Sequence, residues 1–363
     1  MWSDGRLLDL VGIELPIIQA PMAGANGSEM TIAASEAGGL GSLPCAMLDA
    51  AAIRTEIEVI RQHTTKPINV NFFCHTPPTP DPERDALWAE RLAPFYRELG
   101  LDPSVSASAV GRTPFDVGMC ELVEELAPEV VSFHFGLPSP TLLSRVQAAG
   151  CVVFSSATTV AEARWLEDRG CDAIIAQGYE AGGHRGMFLT DEIATQLGTL
   201  ALVPQVVDAV TVPVVAAGGI ADGRGIAAAF ALGAAGAQIG TAYLLTPEAL
   251  ITSLHRARLQ GSRDDETALT NLFSGRPARS LMNRLMLEVG PISHRAPAFP
   301  KAGRALAPLK AKAEAAGLTD FSSLWAGQAA PLGLDGLELG AGELTRKLAA
   351  DAEQRLEALG ATR

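Results

Sequence analysis

The chain has 363 residues, 48% of them hydrophobic and 19% charged, which is enough to bury a large core in one or two domains. Its 28 basic and 41 acidic residues give a net charge of −13, which argues against binding to nucleic acid or to an anionic membrane surface. Acidic residues in the first 20 positions exclude a typical signal peptide, and no uncharged apolar run is long enough to span a bilayer. Together with five cysteines, an odd number that favours reduced thiols, this predicts a cytoplasmic protein of undetermined oligomeric state.

Short apolar, β-branched segments recur along the first 245 residues, with helical patterns between them. Eight of these segments are predicted to be buried strands, at residues 17–20, 40–43, 68–71, 130–133, 151–154, 173–177, 214–217 and 237–239. Intervening helices are predicted at 31–37, 51–63, 141–149, 160–169 and 225–232. Eight β/α units of this length are typical of a (β/α)8 TIM barrel. An open doubly wound sheet is disfavoured, because no G-x-G-x-x-G fingerprint follows the first strand.

The barrel pattern stops after residue 245, and mostly helical patterns follow. We therefore predict a barrel domain over residues 1–246 and a helical C-terminal region over residues 247–363 that packs on the barrel mouth and covers the active site. Residues 75–115 begin with a proline-rich run and continue with an amphipathic stretch at 85–99. This segment is predicted to be an elaborated loop at the same face of the barrel.

Amides and glycines dominate the carboxyl ends of the predicted strands, where the active sites of such barrels lie. Gly218 and Gly219 follow the seventh strand, Gly240 and Thr241 follow the eighth, and each pair is predicted to lead into a helix. Backbone N–H groups at such turns bind phosphate, and these two loops form the usual phosphate site of the fold. The phosphate would belong to a cofactor or to a phosphorylated substrate. Because carboxylate and imidazole clusters are lacking at the strand ends, we predict no metal site.

The loop from residue 177 to residue 186 leaves the sixth strand and places glycines around His184 and Arg185. Glycines allow the backbone to approach a ligand closely, and an imidazole exchanges protons near neutral pH. Arg185 is interpreted either as a surface charge or as a group that attracts an anionic substrate. His134, at the end of the fourth strand, is either a buried, hydrogen-bonded histidine or a substrate contact.

Five motifs resemble the nitronate monooxygenase family, a group of FMN-dependent enzymes. They are QAPMAG at residues 19–24, NFFCH at 71–75, EAGGHRG at 180–186, AGGI at 217–220 and GAQIGT at 236–241. Similar glycine–histidine loops occur in the related FMN-dependent enoyl-acyl-carrier-protein reductases and quinone reductases. The motifs therefore indicate a flavin enzyme more firmly than they indicate its substrate.

The resemblance implies an enzyme that oxidises alkyl nitronates, such as propionate 3-nitronate, with O2 to carbonyl compounds and nitrite. It assigns His184 to catalysis, as a base or as a partner of the nitro group, and His134 and Gly183 to substrate binding. It assigns FMN contacts to eleven residues: Ala20, Pro21, Met22, Asn71, Gln177, Gly182, Gly218, Gly219, Gln238, Gly240 and Thr241. Members of the family often carry tyrosines over the site in the tail, where this chain has Phe299.

Two alternatives to the flavin-dependent monooxygenase remain open at this point. The first is an FMN-dependent reductase that takes hydride from NAD(P)H, of the enoyl-acyl-carrier-protein or quinone reductase type. The second is a flavin-free barrel that binds a phosphorylated metabolite.

Overall fold

The computed structural model describes residues 2–102 and 113–360, so part of the loop predicted at residues 75–115 lies outside the described residues. The strands, in chain order, are β1 (Ile17–Gln19), β2 (Gly41–Pro44), β3 (Ile68–Phe73), β4 (Val130–His134), β5 (Val152–Ala157), β6 (Ala173–Gln177), β7 (Gly183–His184), β8 (Val214–Ala217), β9 (Gly236–Ile239), β10 (Thr267–Thr270) and β11 (Ala278–Leu281). The eight predicted strands are confirmed as β1 to β6, β8 and β9, with ends that agree within three residues.

These eight strands form a parallel barrel. They pair in the order β1-β9-β8-β6-β5-β4-β3-β2. An isolated parallel bridge between Ile18 of β1 and Leu40, the residue before β2, closes the ring. Nearly every strand residue is buried, as expected for parallel strands that are covered on both faces. The predicted TIM barrel is therefore confirmed.

Thirteen helices of the described residues surround and extend the barrel. They are α1 (Arg6–Val11), α2 (Ser28–Glu36), α3 (Ala50–His63), α4 (Pro82–Glu98), α5 (Val117–Leu126), α6 (Pro140–Ala148), α7 (Val160–Glu167), α8 (Thr199–Val207), α9 (Gly223–Ala231), α10 (Ser253–Gln260), α11 (Arg284–Val289), α12 (Ala307–Ala315) and α13 (Ala341–Gly360). Several begin at a side-chain cap that accepts a hydrogen bond from the first turn, such as Asp49, Asp116 and Thr159. None of the described helices is long and apolar enough to cross a membrane.

The last helix, α13, belongs to the wall of the barrel. The eighth strand is followed only by a short 3-10 helix, Thr241–Leu245, and α13 packs against α9 and α2 in the position of the missing eighth helix. Leu344 and Leu348 of α13 join the main apolar core. The division of the chain at residue 246 stays a prediction, but the later segment contributes to the barrel itself.

The rest of the tail forms a second apolar core with α4. Trp88 and Phe95 of α4 lie with Leu285 of α11 and with Phe321 in one buried cluster. The amphipathic stretch of the long loop is therefore the helix that supports the tail. The tail is helical as predicted, but it also contains the antiparallel hairpin of β10 and β11, and β11 pairs with the two-residue strand β7.

Candidate active site

A cavity of about 470 Å³ lies at the carboxyl ends of the barrel strands and extends beneath the tail. Its volume is within the range of sites that bind small molecules and cofactors. All fourteen residues predicted for the site line this cavity: Ala20, Pro21, Met22, Asn71, His134, Gln177, Gly182, Gly183, His184, Gly218, Gly219, Gln238, Gly240 and Thr241. The structure therefore brings them together, while their contacts with a ligand stay predictions. Within residues 2–102 and 113–360, no group of three or more His, Cys, Asp or Glu side chains is placed to hold a metal ion.

The turns after β8 and β9 expose backbone donors. Gly218 and Gly219 have φ values of 112° and 69°, in the left-handed region that favours glycine. A Cβ on Gly218 would lie 3.0 Å from the backbone of Ala181 and of Gly178, so this turn also needs the space. Among the described residues, the N–H groups of Gly219, Gly240 and Thr241 donate no hydrogen bond within the protein. They are available to an anion.

The predicted helix N-termini contribute less to this anion site than the sequence indicated. Helix α9 begins four residues after Gly219, and the Asp222 side chain accepts hydrogen bonds from its first N–H groups, those of Arg224 and Gly225. After β9 there is only the five-residue 3-10 helix. The loops themselves, rather than helix ends, present the donors.

Gln238 of β9 and Asn71 of β3 are two amide side chains in the cavity lining, and only one of them has a hydrogen-bond partner for each buried polar atom that concerns the site. Oε1 of Gln238 is buried and has no partner among the described residues, whereas nearly all buried polar atoms have one. A ligand that carries an N–H or O–H group would satisfy it. Asn71 instead donates through Nδ2 to Oγ of Ser132 at 2.9 Å, which fixes its side chain against β4.

Gln177 holds the glycine–histidine loop. Its Nε2 donates to the backbone oxygen of His184 at 2.9 Å, and its Oε1 accepts from the N–H of Gly186 at 2.7 Å. Both ends of the amide are therefore engaged by the loop. Gln177 lines the cavity as predicted, and the structure adds a role in positioning the backbone of His184.

The imidazole of His184 lies in an aromatic enclosure with a serine hydroxyl at one nitrogen. Its Nε2 is 2.8 Å from Oγ of Ser274. The ring centroids of Phe299 and Trp325 lie 5.4 Å from that of His184, and that of Phe135 lies 5.9 Å away. Phe299 therefore covers the histidine from the tail. Sequence reasoning missed Ser274 and Trp325, because no motif singles them out.

His134 is bonded at both ring nitrogens. Its Nδ1 lies 3.1 Å from Oγ of Ser156, and its Nε2 lies 3.3 Å from the backbone oxygen of His184. Burial lowers the pKa of His134 to about 4, so the ring is neutral at neutral pH. The ring is half-buried, hydrogen-bonded at both nitrogens and part of the cavity lining, so both interpretations of His134 stay open.

Arg185 is neither a surface charge nor a group that attracts substrate, so both predictions for it were wrong. It is completely buried and donates to the backbone oxygens of Gln177, at 2.7 Å, and Gly178, and to Oε1 of Gln196 at 3.0 Å. Burial, aided by the nearby charge of Arg279, lowers the pKa of Arg185 to about 10. The side chain faces inward because the loop folds over it and needs donors for its carbonyl groups.

The backbone of Gly182 packs directly against the backbone of the tail. A Cβ at this position would lie 2.5 Å from the backbone nitrogen of Gly327 and 2.6 Å from the carbonyl carbon of Ala326. This contact alone requires glycine, whatever the residue does toward a cofactor. The loop and the tail are thus packed backbone against backbone beside the cavity.

Known proteins are similar to this chain over nearly its whole length. The family described as "Nitronate monooxygenase" matches residues 4–349. A nitronate monooxygenase from Pseudomonas aeruginosa is 43% identical over 94% of this chain and 97% of its own length. One from Paraburkholderia phytofirmans is 42% identical, with 97% of this chain and 96% of the relative covered.

Solved structures show the same relationship. A nitroalkane oxidase from Streptomyces ansochromogenes has a TM-score of 0.87 at 39% identity, with 98% of this chain and 99% of that chain covered. FabK from Thermotoga maritima has a TM-score of 0.74 at 28% identity, with 99% of each chain covered. The chain therefore belongs to the nitronate monooxygenase family and is an oxidoreductase.

Proposed function

We propose that this chain is an FMN-dependent enzyme that oxidises alkyl nitronates, such as propionate 3-nitronate, with O2 to carbonyl compounds and nitrite. The observation that supports it most is one cavity bordered both by the unbonded N–H groups of Gly219, Gly240 and Thr241 and by the imidazole of His184. A phosphate-bearing cofactor and a reacting substrate need these two features side by side. The names of the relatives favour a nitronate or a nitroalkane as that substrate.

The residues present fit FMN. The backbone N–H groups of Gly219, Gly240 and Thr241 would hold the phosphate of FMN. The unsatisfied Oε1 of Gln238 would accept a hydrogen bond from an N–H or O–H group of the same cofactor. Residues 20–22 and Asn71 would border the flavin ring. When bound, FMN supplies the redox chemistry between substrate and O2.

His184 would act on the substrate in one of two ways. For a neutral nitroalkane it would remove the α-proton, a task for which imidazole is suited near neutral pH. For a nitronate, which has already lost that proton, it would hydrogen-bond the nitro oxygens. The rings of Phe299, Trp325 and Phe135 limit the access of water to this imidazole and strengthen either interaction.

Anaerobic mixing distinguishes this function from its alternatives. The purified protein is mixed without O2 with propionate 3-nitronate or with NADPH while the flavin absorbance is followed. We expect nitronate to bleach the flavin and, in air, to yield nitrite. Rapid bleaching by NADPH but not by nitronate would identify a reductase instead. A protein that is isolated without flavin and takes up no FMN on titration would support the barrel that binds a phosphorylated metabolite.

The His184→Asn variant tests the histidine. It should retain FMN, but its turnover of a neutral nitroalkane should be about 10²- to 10⁴-fold slower, because that is the usual contribution of a general base to the rate. His63→Asn is the matched control, because His63 is exposed at the end of α3, remote from the cavity lining. Near-normal turnover by His184→Asn would rule out the base assignment.

A further inference from the structure

We propose that Trp325, in the tail after α12, is a further substrate-binding residue. Its indole N–H donates a hydrogen bond to an oxygen of the substrate's nitro group, next to His184. The identity of the substrate rests on the function proposed above, whereas the donor itself can be tested without turnover.

Trp325 carries the one hydrogen-bond donor among the aromatic rings that the structure describes around His184. The distances from these ring centroids to that of the imidazole are 5.4 Å for Phe299 and Trp325, 5.9 Å for Phe135 and 6.4 Å for Phe73. A phenyl ring has no hydrogen-bonding group, whereas an indole has an N–H donor. The aromatic wall beside the imidazole is therefore apolar except at the indole nitrogen.

The indole N–H of Trp325 is not used within the described part of the chain. It donates no hydrogen bond to residues 2–102 or 113–360, whereas the N–H of Trp88 donates to the backbone oxygen of Ala302 at 3.1 Å. Oε1 of Gln238 is sealed without a partner, but the N–H of the half-buried Trp325 can be reached by water or by a ligand. Because Trp325 lines the cavity, an oxygen of a bound ligand can supply the partner that interior indole N–H groups usually have.

The hairpin of the tail holds the indole and the imidazole next to each other. Trp325 forms an antiparallel bridge with Ser280 of β11, and its ring packs edge to face on Phe273 with the centroids 5.8 Å apart. Strand β11 also pairs with β7, which carries His184. The same short sheet therefore sets the spacing between the two rings.

Two neighbouring polar groups suit a nitro group, because its two oxygens lie in one plane with the nitrogen. One oxygen would meet the imidazole of His184, as proposed above, and the other would accept from the indole N–H of Trp325. A nitronate carries its negative charge on these oxygens, and a hydrogen bond to a charged acceptor is stronger than one to a neutral acceptor. The indole N–H therefore favours the nitronate over the neutral nitroalkane.

Titration with nitrate tests the donor without turnover. Nitrate has the planar oxygens and the negative charge of a nitronate but no carbon to oxidise. The 363-residue chain with FMN bound is labelled with ¹⁵N-tryptophan, which gives one indole signal for each of its four tryptophans. The signal of Trp325 is assigned by its absence from Trp325→Phe or from Trp325→Tyr. We expect its N–H proton to move downfield and to saturate with nitrate, while the signal of Trp165 stays in place.

Trp325→Phe removes the N–H and keeps an aromatic ring. Its Kd for nitrate, followed by flavin absorbance, should rise about 10- to 150-fold, the range for loss of one hydrogen bond to a charged group. Its kcat/KM for ethyl nitronate should fall by a similar factor. Trp165→Phe is the matched control, because Trp165 is half-buried against Phe188 and lies outside the cavity lining. This control should keep the wild-type values of both quantities.

Four results would overturn the proposal. They are a wild type that binds no nitrate, a Trp325 signal that stays in place as nitrate binds, a wild-type Kd for nitrate in Trp325→Phe, and an unchanged kcat/KM of that variant for ethyl nitronate. A Trp325 signal that shifts on addition of FMN to the cofactor-free protein, but not on addition of nitrate, would assign the N–H to the cofactor instead. If the wild type oxidises no nitronate, the function proposed above fails, and the nitrate titration still decides whether Trp325 donates to an oxyanion.

Discussion

Replacement of Gly240 by alanine separates the proposed phosphate site from the stability of the fold. Gly240 has a φ of −110°, outside the left-handed region that favours glycine. The added methyl group would lie 3.6 Å from Cβ of Ala20 and 3.8 Å from Sδ of Met22, which are ordinary contact distances. We therefore expect the free energy of unfolding of the cofactor-free variant to stay within about 1 kcal/mol of that of the wild type.

The same methyl group should weaken the binding of FMN. It projects toward Ala20 and Met22, two residues of the cavity lining, from the turn whose N–H groups would meet the phosphate. Loss of one hydrogen bond to a charged group costs about 1.5–3 kcal/mol. The Kd for FMN should accordingly rise about 10- to 150-fold.

Titration of the cofactor-free protein with FMN, followed by flavin fluorescence, measures this change. Gly118→Ala is the control, because it makes the same substitution in the first turn of α5. The new methyl group would lie 3.5 Å from Oδ1 of Asp116, the residue that caps this helix. It should leave the Kd unchanged. If Gly240→Ala binds FMN as tightly as the wild type, the phosphate does not lie on this turn. A variant that unfolds without FMN would refute the argument from the open space around Gly240.

Two further predictions concern stability. Arg185→Met should lower the free energy of unfolding by about 2–4 kcal/mol in urea titrations, because the backbone oxygens of Gln177 and Gly178 and Oε1 of Gln196 lose the hydrogen bonds that Arg185 donates. The exposed Arg263→Met should change it little, and equal effects would contradict the structural role of Arg185. Burial, with the charges of Lys310 and Arg256, lowers the pKa of His255 from 6.5 to about 4. The contribution of the neutral His255 to the free energy of unfolding is therefore present above pH 6.5 and falls by up to about 3 kcal/mol as the pH is lowered toward 4. His255→Gln should flatten the dependence of that free energy on pH over this range. An unchanged slope would show that His255 does not cause it.

The barrel and the residues at its mouth were predictable because both follow from local patterns. Parallel strands covered on both faces are continuous apolar runs, and eight such runs with helices between them leave few alternatives. Once the barrel is assigned, its topology brings all strand ends to one face. His134, Gln177 and Gly240 therefore line one cavity although they are far apart in the sequence.

The contacts from the tail were not predictable in the same way. Ser274 lies 90 residues from His184, and its turn belongs to a hairpin whose strands have only four residues each. One of those strands contains Arg279, which is buried on the backbone oxygen of Tyr179. A charged residue in a short segment does not predict a buried strand, so the hairpin could not be inferred from the sequence. The burial of the Arg185 side chain likewise depends on how the loop and the tail pack together.

The tail therefore forms part of the candidate active site and does not merely cover it. Strand β11 pairs with β7, Ser274 holds the imidazole of His184, and Gly182 packs directly on the backbone of Gly327. Farther along, α13 fills the gap between α9 and α2 and contributes to the main core. Because the chain leaves the barrel after β9 and returns to its wall only with α13, closing the barrel also fixes the intervening segment over the mouth. Folding of the core and placement of the residues that surround His184 are thus coupled through one continuous stretch of chain.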